Sequence, residues 1–227
     1  MHALLLALAL GMAAAKPTYV ALGDSTGVGV GARRGGGYPA RLTARLARAG
    51  QPLRLVNLCV SGARAVDVEV GQLRRALAAS PALVTLGVGI NDVTRATDPD
   101  EFAGAFDRVA EALAGTGAPV VVVNVPDIAL SPLAIGGEAR ALIHARVVAV
   151  NERIAATARR HGFALVDLHA ATEEELARGS GLLSEDRFHP SDRGYERWTD
   201  LMVPAVERAL ATRTGRGAGL SSGRALR

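Results

Sequence analysis

Three residue types that together perform acyl transfer occur near opposite ends of this 227-residue chain. Ser25 lies in YVALGDSTG, where an apolar run stops at Gly23 and Asp24, and Asp186 and His189 lie in EDRFHPSD. A serine hydroxyl becomes a good nucleophile when a histidine takes its proton, and an acid holds that histidine in the required tautomer. The two segments therefore predict a serine nucleophile, a histidine base and an orienting aspartate.

The spacing of Asp186 and His189 allows one loop to deliver both acid and base. By itself, this spacing is also typical of a surface ion pair. The other histidines are therefore alternative candidates for the base. His144 and His161 lie in an arginine-rich helical segment, where solvent exposure is expected. His169 follows an apolar run and is the rival candidate for the base.

Alternating strands and helices are predicted to position these residues. Five continuous apolar runs predict strands buried in a parallel sheet: Thr18–Leu22, Leu53–Leu58, Leu83–Val88, Val120–Val125 and Phe163–Leu168. Helical spacing occupies the segments Pro39–Ala49, Val66–Ala79, Glu101–Ala114, Glu138–His161 and Ser191 to about Ala211. This alternation predicts an α/β fold with helices on both faces of the sheet.

Residues that could carry chemistry follow several of the predicted strands. In an open parallel sheet, ligands bind at the carboxyl ends of the strands. Ser25 follows the first run and would expose its hydroxyl there, Gly62 follows the second and Asn91 the third, while Asp186 and His189 are expected in the loop after the fifth. A tetrahedral intermediate needs hydrogen-bond donors for its oxyanion, which the backbone N–H of Gly62 and the side chain of Asn91 would supply.

At these positions the chain resembles the SGNH hydrolases, also called GDSL-type esterases, over about Thr18 to Ala211. The blocks that carry the resemblance are Gly23-Asp24-Ser25, Gly62 within Asn57–Gly62, Gly89-Ile90-Asn91-Asp92 and Asp186-x-x-His189-Pro190. One departure is Thr26, which stands where the family name has leucine. Position 26 is not one of the catalytic positions, so this departure puts the subfamily in doubt but does not change the expected activity.

The resemblance implies a fold, a reaction and a role for each matching residue. The fold is a flavodoxin-like three-layer α/β/α sandwich, and the reaction is hydrolysis of a carboxylic ester of the acyl, lipid or lysophospholipid type through an acyl-enzyme. Ser25 is then the nucleophile, His189 the base and Asp186 its partner. The oxyanion donors are the Ser25 and Gly62 backbone N–H groups and the Asn91 side chain. Thioester hydrolysis, deacetylation of acylated sugars and O-acyl transfer remain alternatives on the same site.

Other functional classes fit the sequence less well. The glycines after Ser25 match neither the spacing of a dinucleotide-binding loop nor that of a phosphate-binding loop. Asp24 and Asp92 are expected to hold their turns through local hydrogen bonds, and no metal-ligand spacing such as H-E-x-x-H occurs, so neither a cofactor nor a metal is predicted. A non-catalytic binding module on the same fold would be favoured only if Ser25 or His189 were missing.

Composition and charge indicate the type of core and the kinds of partner to expect. The chain is 49% hydrophobic but 4% aromatic, which predicts an aliphatic core, and its only cysteine, Cys59, is expected to be an inert core thiol. The net charge of +4 is matched by four arginines after Ala211, a stretch without acidic residues. The body is therefore balanced in charge, and nucleic acid is not expected as a partner. The oligomeric state is left open.

Both ends of the chain are expected to lie outside the catalytic domain at residues 16–211. Residues 1–15 contain an apolar run that begins at Ala3 and ends in Ala13-Ala14-Ala15, which is typical of a cleaved export signal. The alternative is an N-terminal helix packed on the body. We therefore expect a secreted or periplasmic protein, with a cytoplasmic one as the alternative. Residues 212–227 are expected to form a flexible basic tail, for which contact with an anionic membrane is possible but unsupported.

The mostly apolar segment Pro126–Gly137 follows the fourth predicted strand. Loops at this edge of a sheet set substrate specificity. The segment is expected either to line an acyl pocket or to pack under the sheet.

Overall fold

A computed structural model describes residues 15–221 of the chain, with side chains described through residue 212. Its five strands are β1 (Thr18–Gly23), β2 (Arg54–Asn57), β3 (Leu83–Gly87), β4 (Val120–Val123) and β5 (Ala164–Val166). They form one parallel sheet in the order β2-β1-β3-β4-β5. This is the flavodoxin-like strand order, so the predicted fold class is confirmed.

Helices cover both faces of the sheet. They are α1 (Ser25–Val28), α2 (Tyr38–Arg48), α3 (Ala65–Gly71), α4 (Leu73–Ala78), α5 (Ile90–Thr94), α6 (Pro99–Ala114), α7 (Gly137–His161), α8 (Leu168–Ala177) and α9 (Asp192–Ser221). A 3-10 helix at Ile128–Leu130 follows β4. Side chains of α3, α6 and α7 pack on one face and those of α2 and α9 on the other, which gives three layers.

The central strands separate two hydrophobic cores. In β1, Val20 and Leu22 face the core under α3, α6 and α7, whereas Tyr19 and Ala21 face the core under α2 and α9. All four side chains are fully buried. The edge strands β2 and β5 are only partly buried, because each has a neighbouring strand on one side. The expectation of burial on both faces therefore holds for the central strands and not for the edges.

The segment predicted as one helix over Val66–Ala79 is two helices, α3 and α4, which meet at Gln72. The buried Gln72 side chain bonds to the backbone of Gly23, accepting its N–H at 2.9 Å and donating to its carbonyl at 2.8 Å. This contact draws the helical segment against the end of β1. Gln72, at the break between α3 and α4, therefore holds Gly23 in place two residues before Ser25.

The region after β5 differs from the prediction by one helix. The apolar run predicted to be strand through Leu168 ends at Val166, and Asp167 caps α8 by accepting the Ala170 N–H at 3.0 Å. The loop with Asp186 and His189 consequently follows α8 and not β5 directly.

The last helix is also longer than predicted. It begins at Asp192, as expected, with Ser191 Oγ accepting the Gly194 N–H at 3.1 Å. It ends at Ser221, whereas the prediction ended it near Ala211.

The predicted export signal falls almost wholly on residues outside the described range, and the tail predicted at 212–227 extends beyond it after Ser221. Within residues 15–221, no helix combines the length and the hydrophobicity that crossing a bilayer requires.

Candidate active site

The turn before Ser25 depends on the absence of a side chain at Gly23. Gly23 has a φ of +150°, and a Cβ atom there would lie 2.1 Å from the carbonyl oxygen of Gly87 on β3. The two strands therefore approach each other at their carboxyl ends more closely than any other residue at position 23 would allow. The chain leaves the sheet at this point and enters α1, of which Ser25 is the first residue.

Asp24 holds this turn, as the sequence predicted. Its Oδ1 accepts the Thr26 backbone N–H at 2.9 Å and the Thr26 hydroxyl at 2.8 Å, which caps α1. Burial raises the pKa of the Asp24 carboxyl to about 6, against the opposing effect of the bonds from Thr26. As a whole residue, Ser25 is buried, with 4% of its surface exposed. The His189 ring, which contacts its Oγ, helps to shield it.

The structure brings the three predicted residues into one hydrogen-bonded chain. Ser25 Oγ lies 2.9 Å from His189 Nε2, although 164 residues separate them in the sequence. His189 Nδ1 lies 2.6 Å from Asp186 Oδ2 on its other side. In this arrangement Nδ1 carries the proton donated to the carboxylate, and Nε2 is left to accept the proton of the serine.

Asp186 is fixed by contacts within its own loop. Its Oδ1 accepts the backbone N–H groups of Phe188 and His189, each at 2.9 Å, and the Ser184 hydroxyl at 2.8 Å. Partial burial on its own would raise the pKa of Asp186. The bonds from the His189 ring, the two N–H groups and Ser184 outweigh this and hold the pKa well below its usual value. The carboxylate therefore stays charged beside the imidazole.

The glycine-rich loop after Ser25 packs directly on the histidine. A Cβ atom on Gly31, whose φ is +89°, would lie 2.9 Å from His189 Cβ and 2.6 Å from the Pro190 carbonyl oxygen. The Tyr195 hydroxyl on α9 donates to the Val30 carbonyl at 2.7 Å. Gly31 therefore allows the loop after the nucleophile to pack against the base, a role that was not predicted from the sequence.

The predicted oxyanion donors lie after β1, β2 and β3, which are neighbours in the sheet. Asn91 Nδ2 donates to the Ala63 carbonyl at 3.0 Å, which ties it to the loop that contains Gly62. Since a primary amide carries two N–H groups, this bond leaves the second one free to donate. Within residues 15–221, the backbone N–H groups of Ser25 and Gly62 have no hydrogen-bond acceptor.

Two further expectations concern residues beside the site. Asp92 Oδ2 accepts the Ala65 N–H at 3.1 Å, so it holds the start of α3, and burial raises its pKa to about 6. Cys59 is a free, half-buried thiol beside Gly27. Burial raises the pKa of Cys59 well above its usual value, which favours the unreactive thiol.

A mostly apolar cavity of about 30 Å³ adjoins His189 and Thr26. Pro126, Ile128 and Ser131 line it, so the segment after β4 contributes to a cavity beside the histidine. Leu182 and Trp198 close other parts of its wall. The cavity has room for about two water molecules or a small alkyl group.

A second cluster that the sequence analysis missed lies near this cavity. Asp127, His144 and His169 place one potential metal-ligating atom each within 4.8 Å of the others. His144 keeps 48% of its side chain exposed and is bonded to Asp127. His169, the rival candidate for the base, belongs to this cluster. The hydroxyl of Ser25 is bonded to His189 instead. Asp127 follows β4, and its position at a strand's carboxyl end was the signal available in the sequence.

Comparison with known proteins adds relatives that share both sequence and fold. The model of the GDSL-like lipase/acylhydrolase family matches residues 21–197. The chain is 30% identical over 193 residues to the GDSL-like esterase Rv1075c of Mycobacterium tuberculosis, an alignment that covers 83% of this chain and 61% of the relative. It is 34% identical over 116 residues to esterase TesA of Pseudomonas aeruginosa, covering 49% of this chain and 56% of TesA. The chain thus spans about 60% of the length of these relatives.

Solved structures show the same architecture. A crystal structure of TesA superposes with a TM-score of 0.68 at 25% identity, covering 85% of this chain and 99% of that one. An extracellular lipase from Streptomyces rimosus superposes with a TM-score of 0.63 at 22% identity, covering 83% and 99%, which supports the fold alone.

Proposed function

Because this chain belongs to the GDSL-like lipase/acylhydrolase family, we propose that it hydrolyses carboxylic esters with Ser25 as the nucleophile. The observation that carries the proposal is the continuous hydrogen-bonded chain from Ser25 through His189 to Asp186, with distances of 2.9 and 2.6 Å. Two relatives named as esterases support the same reaction class.

In the proposed mechanism, His189 Nε2 takes the proton of the Ser25 hydroxyl while Oγ attacks the acyl carbonyl carbon. The carbonyl π electrons move to oxygen, and the resulting oxyanion accepts hydrogen bonds from the backbone N–H groups of Ser25 and Gly62 and from Asn91. The imidazolium then gives its proton to the leaving alcohol as the carbon–oxygen bond breaks. Water repeats both steps on the acyl-enzyme and releases the carboxylic acid and the free serine.

Asp186 acts in this scheme by stabilising the imidazolium and by keeping its Nδ1 protonated. The three donors on its other oxygen hold the carboxylate in place, so it need not reorganise when His189 becomes charged. The lowered pKa of Asp186 keeps it ionised throughout the pH range in which the enzyme would work.

For the substrate, we favour an ester with a short acyl chain. The cavity beside His189 is apolar and narrow, which suits a small alkyl group better than a long one. Ile128 lines this cavity, whereas Ile135, in the same segment, is 83% exposed and does not. Ile128→Ala should therefore extend the preferred chain length of p-nitrophenyl esters, and Ile135→Ala should leave it unchanged. Long-chain esters preferred by the wild type would exclude this assignment.

The nucleophile is tested by Ser25→Ala, with Ser180→Ala as the matched serine control, since Ser180 bonds to the Glu175 carbonyl after α8. We expect Ser25→Ala to reduce kcat for short esters by roughly 10⁵–10⁶-fold with an unchanged circular dichroism spectrum. A fluorophosphonate probe should label the wild type and Ser180→Ala but not Ser25→Ala. Wild-type activity in a folded Ser25→Ala protein would refute the proposal. Thioesters and acetylated sugars in the same assay test the alternative acyl groups.

We also propose that the protein is exported, on the basis of the apolar segment that ends in Ala13-Ala14-Ala15. β1 begins three residues later, so cleavage after Ala15 would leave every described strand and helix intact. N-terminal sequencing of the protein recovered from its native cell should find a chain that starts at Lys16. An intact Met1 in the cytoplasmic fraction would contradict this.

A further inference from the structure

Three separate elements place metal-ligating side chains together on the side of β4. Asp127 lies in the turn after β4, His144 on α7 and His169 in the first turn of α8. One ligand atom from each lies within 4.8 Å of the other two. The His144 and His169 ring centroids are 6.0 Å apart. The fold therefore assembles two imidazoles and one carboxylate that are far apart in the sequence.

His169 has a buried nitrogen that lacks a partner. Within the described residues, its Nε2 is inaccessible to solvent and makes no hydrogen bond. A buried polar atom without a partner destabilises a fold, so it calls for an explanation such as a bound ion or an ordered water. The position of His169 is fixed, because its backbone N–H donates to Asn124 Oδ1 at 3.1 Å and Asn124 in turn donates to Asp167 at 2.8 Å.

Asp127 supplies a negative charge at the same point. Its side chain is 5% exposed, and its Oδ1 accepts the Ala129 N–H at 3.0 Å. Its Oδ2 lies 2.6 Å from His144 Nδ1. A carboxylate oriented by a backbone N–H through one oxygen, with its second oxygen against an imidazole, is the arrangement that supports a metal ligand.

We propose that Asp127, His144 and His169 bind a divalent transition-metal ion, of which Zn²⁺ is the best match. Imidazole nitrogens and a carboxylate oxygen are common ligands of Zn²⁺, at about 2.0–2.2 Å. Binding requires His144 Nδ1 to move away from Asp127 Oδ2, which lies 2.6 Å from it, and a ring nitrogen of His169 to come nearer than the 4.8 Å within which the three ligand atoms lie. The reason is that neighbouring ligands of a tetrahedral ion are about 3.3 Å apart. His144 keeps 48% of its side chain exposed, so water can reach this side of the cluster.

This site is separate from the proposed triad. Asp127 also lines the cavity beside His189, so the ion would lie next to that cavity, yet neither Ser25, Asp186 nor His189 is one of its ligands. No metal was predicted from the sequence, because it contains no metal-ligand spacing such as H-E-x-x-H. The competing explanation is that Asp127 and His144 form an ion pair that needs no metal.

Isothermal titration of the full chain, without a histidine tag and after treatment with a chelator, separates the two explanations. We expect one Zn²⁺ per chain with micromolar or tighter affinity, a rise in Tm with ZnCl₂, and a visible absorption band when Co²⁺ is bound at the same site. Asp127→Asn and His169→Gln should each weaken binding at least tenfold, since losing an outer partner of a ligand already costs about 10–100-fold.

Two variants serve as controls. His161→Gln removes the histidine at the end of α7, the helix that carries His144. The His161 ring stacks on Phe163, so this variant should leave Zn²⁺ binding unchanged. His189→Gln removes the other histidine that is paired with an aspartate and should also leave it unchanged. The proposal is overturned if the wild type binds no Zn²⁺, if binding survives in folded Asp127→Asn and His169→Gln, or if it is lost in His189→Gln. Circular dichroism establishes that each variant is folded.

Discussion

Asp186 holds both the backbone and the ring of His189. One carboxylate oxygen accepts the His189 N–H at 2.9 Å, and the other lies 2.6 Å from Nδ1 of the same residue. The acid therefore fixes where the histidine is as well as which way its ring points. Such a double contact is possible because only two residues separate Asp186 from His189 along one tight loop, in which Arg187 adopts a φ of +60°.

The first prediction concerns Asp186→Asn. An amide keeps the size of the side chain but removes the charge that stabilises the imidazolium and favours the wrong histidine tautomer. We expect kcat for a short ester to fall by about 10³–10⁴-fold with little change in KM. Glu185→Gln, one residue earlier and 87% exposed, is the matched control and should retain full activity. Equal activities in the two variants would contradict the role assigned to Asp186.

The second prediction concerns Asn91→Ala. The substitution removes the proposed side-chain donor to the oxyanion, so kcat should fall by about 10²–10³-fold while labelling of Ser25 by a fluorophosphonate slows in parallel. Thr94→Ala is the control on the same short helix, because the Thr94 hydroxyl is bonded to the Asn91 carbonyl and not to the site. A rise in KM alone, without loss of kcat, would argue against an oxyanion role.

The third prediction concerns pH and Asp24. Burial raises the pKa of this carboxyl to about 6, so the folded state holds its proton more tightly than the unfolded state, whose pKa is near 3.8. The contribution of Asp24 to the free energy of unfolding is therefore greatest below pH 4 and is lost as the pH rises through 6. The loss amounts to about 3 kcal/mol for a shift of this size.

Urea unfolding of the wild type and of Asp24→Asn between pH 4 and 7 checks the direction in which the free energy of unfolding changes with pH. The wild type should lose stability relative to the variant as the pH rises, because the variant has no charge to bury. Asp92, whose pKa is raised in the same direction, is present in both proteins and cancels in the difference. Asp100→Asn, with a side chain 91% exposed, should run parallel to the wild type. A difference between wild type and Asp24→Asn that does not vary with pH would disprove the prediction.

The fourth prediction concerns Arg41, whose side chain is 8% exposed. Its guanidinium donates to Asp192 at 2.6 Å, to Glu196 and to backbone carbonyls of the glycine-rich loop, so it joins that loop and α2 to the start of α9. Arg41→Ala leaves these partners uncompensated and should lower the free energy of unfolding by about 2–4 kcal/mol. Arg45→Ala, which removes a more exposed arginine that shares Glu196, should cost less than about 1 kcal/mol in the same measurement.

Much of the fold was predictable because its signals are local. Each continuous apolar run contains one observed strand, and the order of the sheet follows from the resemblance to a known family. The helix α8 was missed because its residues show little segregation of apolar and polar faces, and because Asp167 ends β5 by capping that helix. The split between α3 and α4 was missed because it depends on Gln72 and Gly23, which lie 49 residues apart.

In the candidate site, too, features with local signals were predicted and those that depend on long-range packing were not. Ser25, His189 and Asp186 were identified from residue types and spacing, and the structure places them in contact. The burial of Ser25 was not predicted, because it results from packing of the histidine loop onto the nucleophile's turn. The cluster of Asp127 with two histidines was also missed. Its members share no sequence spacing, and only the positions of α7 and α8 beside β4 bring them together.

The separation of Ser25 from His189 has a consequence for when activity can arise. The hydrogen bond between them closes a loop of 164 residues that includes four of the five strands. A growing chain acquires the serine early in synthesis, but it lacks the base until all five strands and α8 have emerged. Contacts of such long range form late in folding. A nascent or partly folded chain would therefore be unable to attack esters around it, and turnover would report the completion of folding.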